Sequence, residues 1–288
     1  MEKKIQQAQK IMSGFQLGEG PVYMEKISTL FWVDIDGKHL HTLNTETNHT
    51  HAFQYSDCVS AIMPFSETMI IALIGYHLCY VDIHSGKIER SVQIIGDPTL
   101  RFNDAKCDQY GNIWAGTMKR NHDEKTKGSG SLLCIKDDKI VKEYPDFTTP
   151  NGMDWIDGDF YHIDTEDKTI YRYTVEDEIN LEYKETFLTI SEKPDGMTKD
   201  NQGNLYVALW GSGKIIKVTT ATKEITPLIT TDTIHSSCLC FGGKDLKTIF
   251  ITTAEDADGL KNGGLYSTAS EVQGVAPYPY KSSFTIEE

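Results

Sequence analysis

Pro150-Asn151-Gly152-Met153 and Pro194-Asp195-Gly196-Met197 are two copies of one motif, and the residues downstream of each copy are also alike. A turn comes next, Asp157-Gly158-Asp159 in the first and Asn201-Gln202-Gly203-Asn204 in the second. An aromatic strand comes after it, Phe160-Tyr161-His162-Ile163 and Leu205-Tyr206-Val207-Ala208. On either side of this pair, four more units share the plan of a small polar opening and then an apolar, β-branched or aromatic run. They start at Glu19-Gly20-Pro21, Val59-Ser60-Ala61, Phe102-Asn103-Asp104 and Ser237-Cys238-Leu239, so successive openings stand roughly 40 to 50 residues apart. Self-similarity at that period marks a β-propeller, one four-stranded blade per repeat. The expectation is an all-β chain, a six-bladed β-propeller forming one domain over residues 1–288, with residues 1–12 a short segment outside the blades.

The turns support the alignment. Asp108 and Asp200 fill one slot of the third and fifth units, and Asn112 and Asn204 another. The Gly-Asn and Asp-Gly pairs supply the positive φ that tight hairpins require. Outer strands such as Tyr171-Arg172-Tyr173-Thr174-Val175 alternate, so each blade can bury a face against its neighbour. Beyond a helical turn within residues 3 to 12, no helical pattern is present. Residues 11 to 17 are expected to close the ring by pairing into the last blade.

Composition narrows the partners. A net charge of −14 speaks against nucleic acid, since phosphate backbones demand a cationic footprint. The longest apolar run, Met69 to Ile74, is far short of the ~20 residues that a membrane-spanning helix needs. The amino terminus lacks the apolar core of a signal peptide, so a cytoplasmic location is expected. The cysteines at 58, 79, 107, 134, 238 and 240 form no Cys-x-x-Cys pair and read as buried, reduced thiols. One polar, Gly-rich loop, Lys119 to Gly130, reads either as plain surface or as a substrate-contacting lid. Oligomeric state is not legible.

The chain carries no Gly-x-Ser-x-Gly elbow, Walker loop, His-Glu-x-x-His or EF-hand. Asp34-Ile35-Asp36-Gly37 and Asp256-Ala257-Asp258-Gly259 are turns, each lacking the remaining calcium-loop ligands. The repeat alignment instead superposes Glu19, Ser60, Asn103, Asn151, Asp195 and Ser237 where the innermost strand of each blade opens onto the channel. Taken singly, Asn or Asp before Gly is a turn former. Taken together, two carboxylates and one or two amide oxygens converging there make a hard, all-oxygen site. Such a site suits one divalent cation, Ca²⁺ first, with Mg²⁺, Mn²⁺ or Zn²⁺ as alternatives.

With those residues in view, Leu17-Gly18-Glu19-Gly20-Pro21-Val22, Arg101-Phe102-Asn103-Asp104, Ala115-Gly116-Thr117-Met118 and Asn151-Gly152-Met153-Asp154-Trp155 resemble the regucalcin (senescence marker protein 30)/gluconolactonase family. Pro194-Asp195-Gly196-Met197, Cys240-Phe241-Gly242-Gly243 and Gly274-Val275-Ala276-Pro277 extend the resemblance, in order, over nearly the whole chain. It implies a metal in the channel and hydrolysis of sugar-acid lactones, with a small-molecule lactone as the substrate. It further implies Glu19, Asn151 and Asp195 as metal ligands, Arg101 and Asn103 as substrate contacts, and Asp195 as the catalytic base, directly or through a water that it orients. Relatives carry an acidic residue soon after the Gly-Thr-Met segment; here the matching substrate-binding position is Asn121, a departure that bears on which sugar is preferred. Two other readings use the same fold: a metal-dependent hydrolase of other esters or organophosphates, and a non-catalytic calcium-binding or interaction propeller.

Overall fold

In the computed structural model, which describes residues 5–121, 127–256, 259 and 262–284, the strands assort into six antiparallel sheets arranged in a ring. The innermost strands are Gly18–Met24, Val59–Pro64, Leu100–Cys107, Pro150–Ile156, Lys193–Lys199 and Ser236–Gly242. Each lies against the next, and the last returns to the first. This is the six-bladed propeller that the repeat predicted. Among the described residues the one helical element is a 3-10 turn, Glu25–Ile27.

Ring closure is a matter of chain termini. Gln9–Phe15 pairs antiparallel with Gly263–Ala269 and becomes the outer strand of blade six. Gln6–Gln7 adds a parallel strand to the outer edge of blade five. The expectation that residues 1–12 stand outside the blades, or form a helical turn, is therefore corrected for residues 6–7 and 9–12. The physical reason lies in the edges. Both blades would otherwise present an unpaired strand, and Ala8, 5% exposed, joins the core between them.

The core is a series of inter-blade clusters. Phe31, Val33 and Leu40 of blade one meet Val59, Ile70 and Val81 of blade two, and Trp114 of blade three meets Met153 and Phe160 of blade four. Turn chemistry is as the sequence implied. Asp157 (φ 51°) and Gly158 (φ 84°) take the paired positive φ of a tight hairpin. Asp108 accepts the amides of Tyr110 and Asn112 at 2.9 Å and the Trp114 indole N–H at 2.9 Å. Asp200 does the same for the amides of Gln202 and Asn204 at 2.9 Å and for the Tyr206 hydroxyl at 3.3 Å. The two slots are equivalent. Asp34 likewise clips its turn, accepting the amides of Gln16, Leu17 and Gly37.

Two features position the site. In all six blades the pairing of innermost and second strands slips at the opening residue: between Glu19 and Val22, Val59 and Ala61, Phe102 and Ala105, Pro150 and Met153, Pro194 and Met197, and Ser236 and Cys238. Such bulges re-aim a side chain, here near the start of each innermost strand. At the other end of the channel the chain crosses over after blade six. Gly274 N–H donates to the Leu246 carbonyl, and further along Tyr280 N–H donates to the Pro64 carbonyl. Val275, Ala276, Pro277 and Tyr278 between them line a channel cavity of about 70 Å³.

Candidate functional site

The residues at the bulges are buried polar groups, which must find hydrogen bonds. Four of the six do so in one repeated way. The side chain donates, directly in three cases and through a threonine hydroxyl in the fourth, to the carbonyl just before the next blade's opening residue. Ser60 Oγ donates to the Phe102 carbonyl at 2.7 Å, and Asn103 Nδ2 to the Pro150 carbonyl at 3.0 Å. Asn151 Nδ2 reaches the Pro194 carbonyl through Thr165, whose hydroxyl accepts at 2.9 Å and donates at 2.8 Å. Ser237 Oγ donates to the Gly18 carbonyl at 2.5 Å. Side chains thus lace the blades together around the channel mouth.

The exceptions are Glu19 and Asp195, 7% and 5% exposed. Among the described residues neither side chain donates to the carbonyl of the next blade, so neither laces its neighbour. Glu19 Oε2 accepts the Gly20 amide at 2.7 Å. Among the described residues no hydrogen bond reaches the Asp195 carboxylate. Burial, and then Asp104, push the Glu19 carboxyl up to about 8, against the pull of the Gly20 amide and Arg101. Burial, then Glu19 and Asp104, hold Asp195 well above the usual carboxylate range. The carboxyl of Asp104, half-buried beside them, is raised to about 6 by burial. Close approach of the strands explains the Asn-Gly and Asp-Gly pairs of the motif. A Cβ at Gly152 would meet the Asp195 carbonyl oxygen at 2.6 Å, and one at Gly196 the Cys238 sulfur at 2.3 Å.

Arg101 also belongs to this mouth. Its Nη1 donates to the Phe102 carbonyl at 2.7 Å and to Asn103 Oδ1 at 3.0 Å. Neither Nε nor Nη2 bonds another described residue. Asn103 has its amide fully engaged, since Nδ2 also donates to Asn151 Oδ1 at 3.2 Å, so its free capacity is one lone pair on Oδ1. Asn121 is exposed, past the end of the strand Ile113–Lys119, and makes no side-chain hydrogen bond among the described residues. Arg101 pairs with Met118 of that strand, so both stand at the same end of blade three. Arg120, just before Asn121, is pinned by Asp57 through two bonds of 2.8 and 2.9 Å. Of the loop between Lys119 and Gly130, residues 122–126 lie outside the described residues.

The donor set meets the chemistry of a hard cation: two buried carboxylates, one of which raises the pKa of the other, and the amide oxygen of Asn151 between fixed partners. Among the described residues no three His, Cys, Asp or Glu side chains are grouped so as to hold an ion by themselves. The structure thus bears out the propeller and sets Glu19, Asn151 and Asp195 around one mouth, whereas the expected metal site in the channel is not established by it. An ion here would depend on amide oxygens as well as carboxylates.

Sequence reading missed Thr165, which carries the link from Asn151 to blade five, and the charged residues Lys106, Asp154 and Lys199 deeper in the channel. A signal was present, because Lys106 and Asp154 come after Asn103 and Asn151 by the same interval within strands that are otherwise largely buried. All six cysteines are free thiols, as expected. Among the described residues no helix is long and apolar enough to cross a membrane.

Comparison with known proteins matches residues 17–255 to the SMP-30/Gluconolactonase/LRE-like region. The chain is 34% identical over 282 residues to the "Putative sugar lactone lactonase YvrE" of Bacillus subtilis (strain 168), covering 92% of this chain and 94% of that one. It is 32% identical over 272 residues to the pentonolactonase XacC of Haloferax volcanii, covering 88% and 87%. Among solved structures, a luciferin-regenerating enzyme superposes with a TM-score of 0.87 at 25% identity, over 95% of this chain and 99% of that one.

Proposed function

Because the chain belongs to the SMP-30/gluconolactonase/LRE-like family, we propose that it is a metal-dependent hydrolase that opens sugar-acid lactones. Lactonase- or esterase-like hydrolysis is the activity that the family relationship and the fold support. The lactone as substrate, the cation, and the roles of single residues are the finer reading. The observation that carries it is the interruption of the lacing at Glu19 and Asp195. At four of six equivalent positions the side chain serves the architecture. At the other two it is a buried carboxyl group that does not, and both have their pKa raised by burial and neighbouring acids. Perturbed acids gathered in one cleft mark a functional centre.

In this reading Glu19, Asn151 and Asp195 would hold one divalent cation, Ca²⁺ first, which when bound would act as a Lewis acid on the lactone carbonyl. The chain's own groups do the rest. Arg101 presents Nε and Nη2 to ring hydroxyls, its Nη1 being anchored on Phe102 and Asn103. Asp195, whose oxygens accept no hydrogen bond among the described residues, takes a proton from the attacking water. The water oxygen bonds to the carbonyl carbon, and collapse of the adduct breaks the ring ester C–O bond. The proton held on Asp195 passes to the departing ring oxygen, and the product is an open hydroxy acid. No covalent intermediate on the protein is needed, in keeping with the missing nucleophile motifs. Asn121, exposed at the rim near Arg101, would contact the substrate's outer hydroxyls.

A pH-indicator assay over a panel of aldonolactones, simple esters and a phosphotriester tests the proposal. The expected result is lactone opening that EDTA abolishes and added Ca²⁺ restores. Turnover of an ester or the phosphotriester in preference to every lactone would replace the substrate, and lactone rates at background with metal present would overturn the activity.

A further inference from the structure

Beneath the mouth, the channel holds charges that the proposed reaction does not use. Lys106, on the innermost strand of blade three, reaches across two blades. Its Nζ donates to Asp154 Oδ2 of blade four at 2.9 Å and to the Met197 carbonyl of blade five at 2.9 Å. On the far side of Asp154, Lys199 Nζ lies 3.1 Å from Oδ1 and donates to the Trp155 carbonyl. Burial opposes ionisation of Asp154, but Lys106 and then Lys199 outweigh it and hold the carboxyl below its ordinary value. Asp154 is thus a firm anchor, and Lys106 a strut between three innermost strands.

Those three strands carry Asn103, Asn151 and Asp195. The link from blade three to blade four is made by Asn103, and that from four to five by Asn151 through Thr165. From blade five to six it is missing: among the described residues the Asp195 side chain donates to no carbonyl of blade six. The strand that bears the proposed base therefore lacks the forward tie that its neighbours have. The ammonium of Lys106 grips that strand at Met197, two residues beyond Asp195.

We propose that Lys106 is a positioning residue: anchored on Asp154, it supplies across the channel the restraint that the Asp195 side chain does not provide, and so holds Asp195 in register with Glu19 and Asn151. The kinetic part rests on the hydrolase reading above; the structural part does not. Lys106→Met keeps the aliphatic stem and leaves Asp154 paired with Lys199.

The test joins two measurements on full-length wild type and Lys106→Met. Amide hydrogen exchange over Lys193–Lys199 is expected to quicken about tenfold in the variant, with the outer strands unchanged, because local opening accompanies loss of local restraint. On the lactone that wild type opens fastest, kcat is expected to fall roughly 10- to 100-fold with KM little changed, the loss that a displaced catalytic group brings. Lys106→Arg, which keeps the charge, should recover part of kcat. If wild type opens no lactone, the hydrolase reading fails and exchange alone decides the strut. Unchanged exchange at Lys193–Lys199 overturns the proposal, as does a lowered melting temperature with wild-type kcat. Should Lys106→Met not fold, Asp154→Asn carries the same expectations, since it removes the anchor and keeps both lysines.

Discussion

The side-chain amide of Asn103 donates to the side-chain oxygen of Asn151 at 3.2 Å, joining blades three and four at the channel mouth. Asn151 passes its own amide protons to Thr165, which in turn donates to the Pro194 carbonyl. The orientation of the Asn151 oxygen is thereby set from both sides. In the proposed site, that oxygen would join the carboxylates of Glu19 and Asp195 as a ligand of fixed direction.

Thr165→Val should expose this dependence. The change keeps the shape and removes the hydroxyl, leaving the Asn151 amide and the Pro194 carbonyl buried without partners. A loss of about 1–3 kcal/mol is expected in chemical denaturation, the cost of unpaired buried polar groups. Calcium affinity, read by titration calorimetry, should fall as well. A variant with wild-type affinity would show that Asn151 needs no such support.

Asp195→Asn is expected to act in opposite directions on activity and stability. Loss of the base should lower kcat by about 10²- to 10⁴-fold. In the presence of EDTA, however, the new amide can donate as Asn103 and Asn151 do, and a buried acidic group is gone. The metal-free variant should be more stable than wild type by about 0.5–1.5 kcal/mol, the net worth of one hydrogen bond. Equal or lower stability in EDTA would mean that the blade-five position does not share the lacing geometry.

Calcium stabilisation should depend on pH in a stated direction. In the metal-free fold the Glu19 carboxyl is raised to about 8 from an ordinary value of 4.5. Between those values the unfolded chain has lost a proton that the folded chain keeps, so metal-free stability declines as pH rises through that window. A cation requires the ionised group and competes with the proton. The rise in melting temperature on adding Ca²⁺ is therefore expected to be small near pH 5 and to grow toward pH 8. A shift that is flat with pH would place the ion away from Glu19.

His162 sets a separate acid limit. The ring is fully buried, stacks on Phe160 and has neither nitrogen hydrogen-bonded among the described residues. Burial lowers its pKa from 6.5 to about 3. Stability from keeping this ring neutral is complete above pH 6.5 and is lost as pH falls toward 3, because the unfolded chain gains the proton first. His162→Leu should flatten the decline of melting temperature between pH 6.5 and 4. An unchanged decline would assign the acid sensitivity to other groups.

Asn121→Glu tests whether the position that the family resemblance assigns to the substrate takes part in its recognition. The position is exposed, so the fold should tolerate the change. What should move is the ranking of kcat/KM among lactones that differ in their outer hydroxyls, with turnover retained. Proportional changes for every lactone would remove Asn121 from substrate recognition.

Whether a feature is legible in the chain depends on the range of the interaction behind it. The period of the opening motifs, the equivalence of Asp108 and Asp200, and the alignment of Glu19, Asn103, Asn151 and Asp195 at one channel mouth could all be read from residue order. Each depends on local turn chemistry repeated along the chain, and a ring of blades brings equivalent positions together. The lacing was not legible, because it joins each side chain to a carbonyl that belongs to another blade, and carbonyls leave no mark in a sequence. Nor was the strut. Lys106 reads as an ordinary polar residue of a strand until tertiary structure sets its ammonium 2.9 Å from Asp154 and from the Met197 carbonyl. The amino-terminal residues show the same division. Ring closure by residues 11 to 17 could be read from the chain, and Gln9–Phe15 pairs into blade six as expected, whereas Gln6–Gln7 becomes a strand only because blade five offers it an unpaired edge. Residue types and spacing chose the fold and nominated the carboxylates; the packed ring settled which polar groups tie the blades together and which two carboxylates do not.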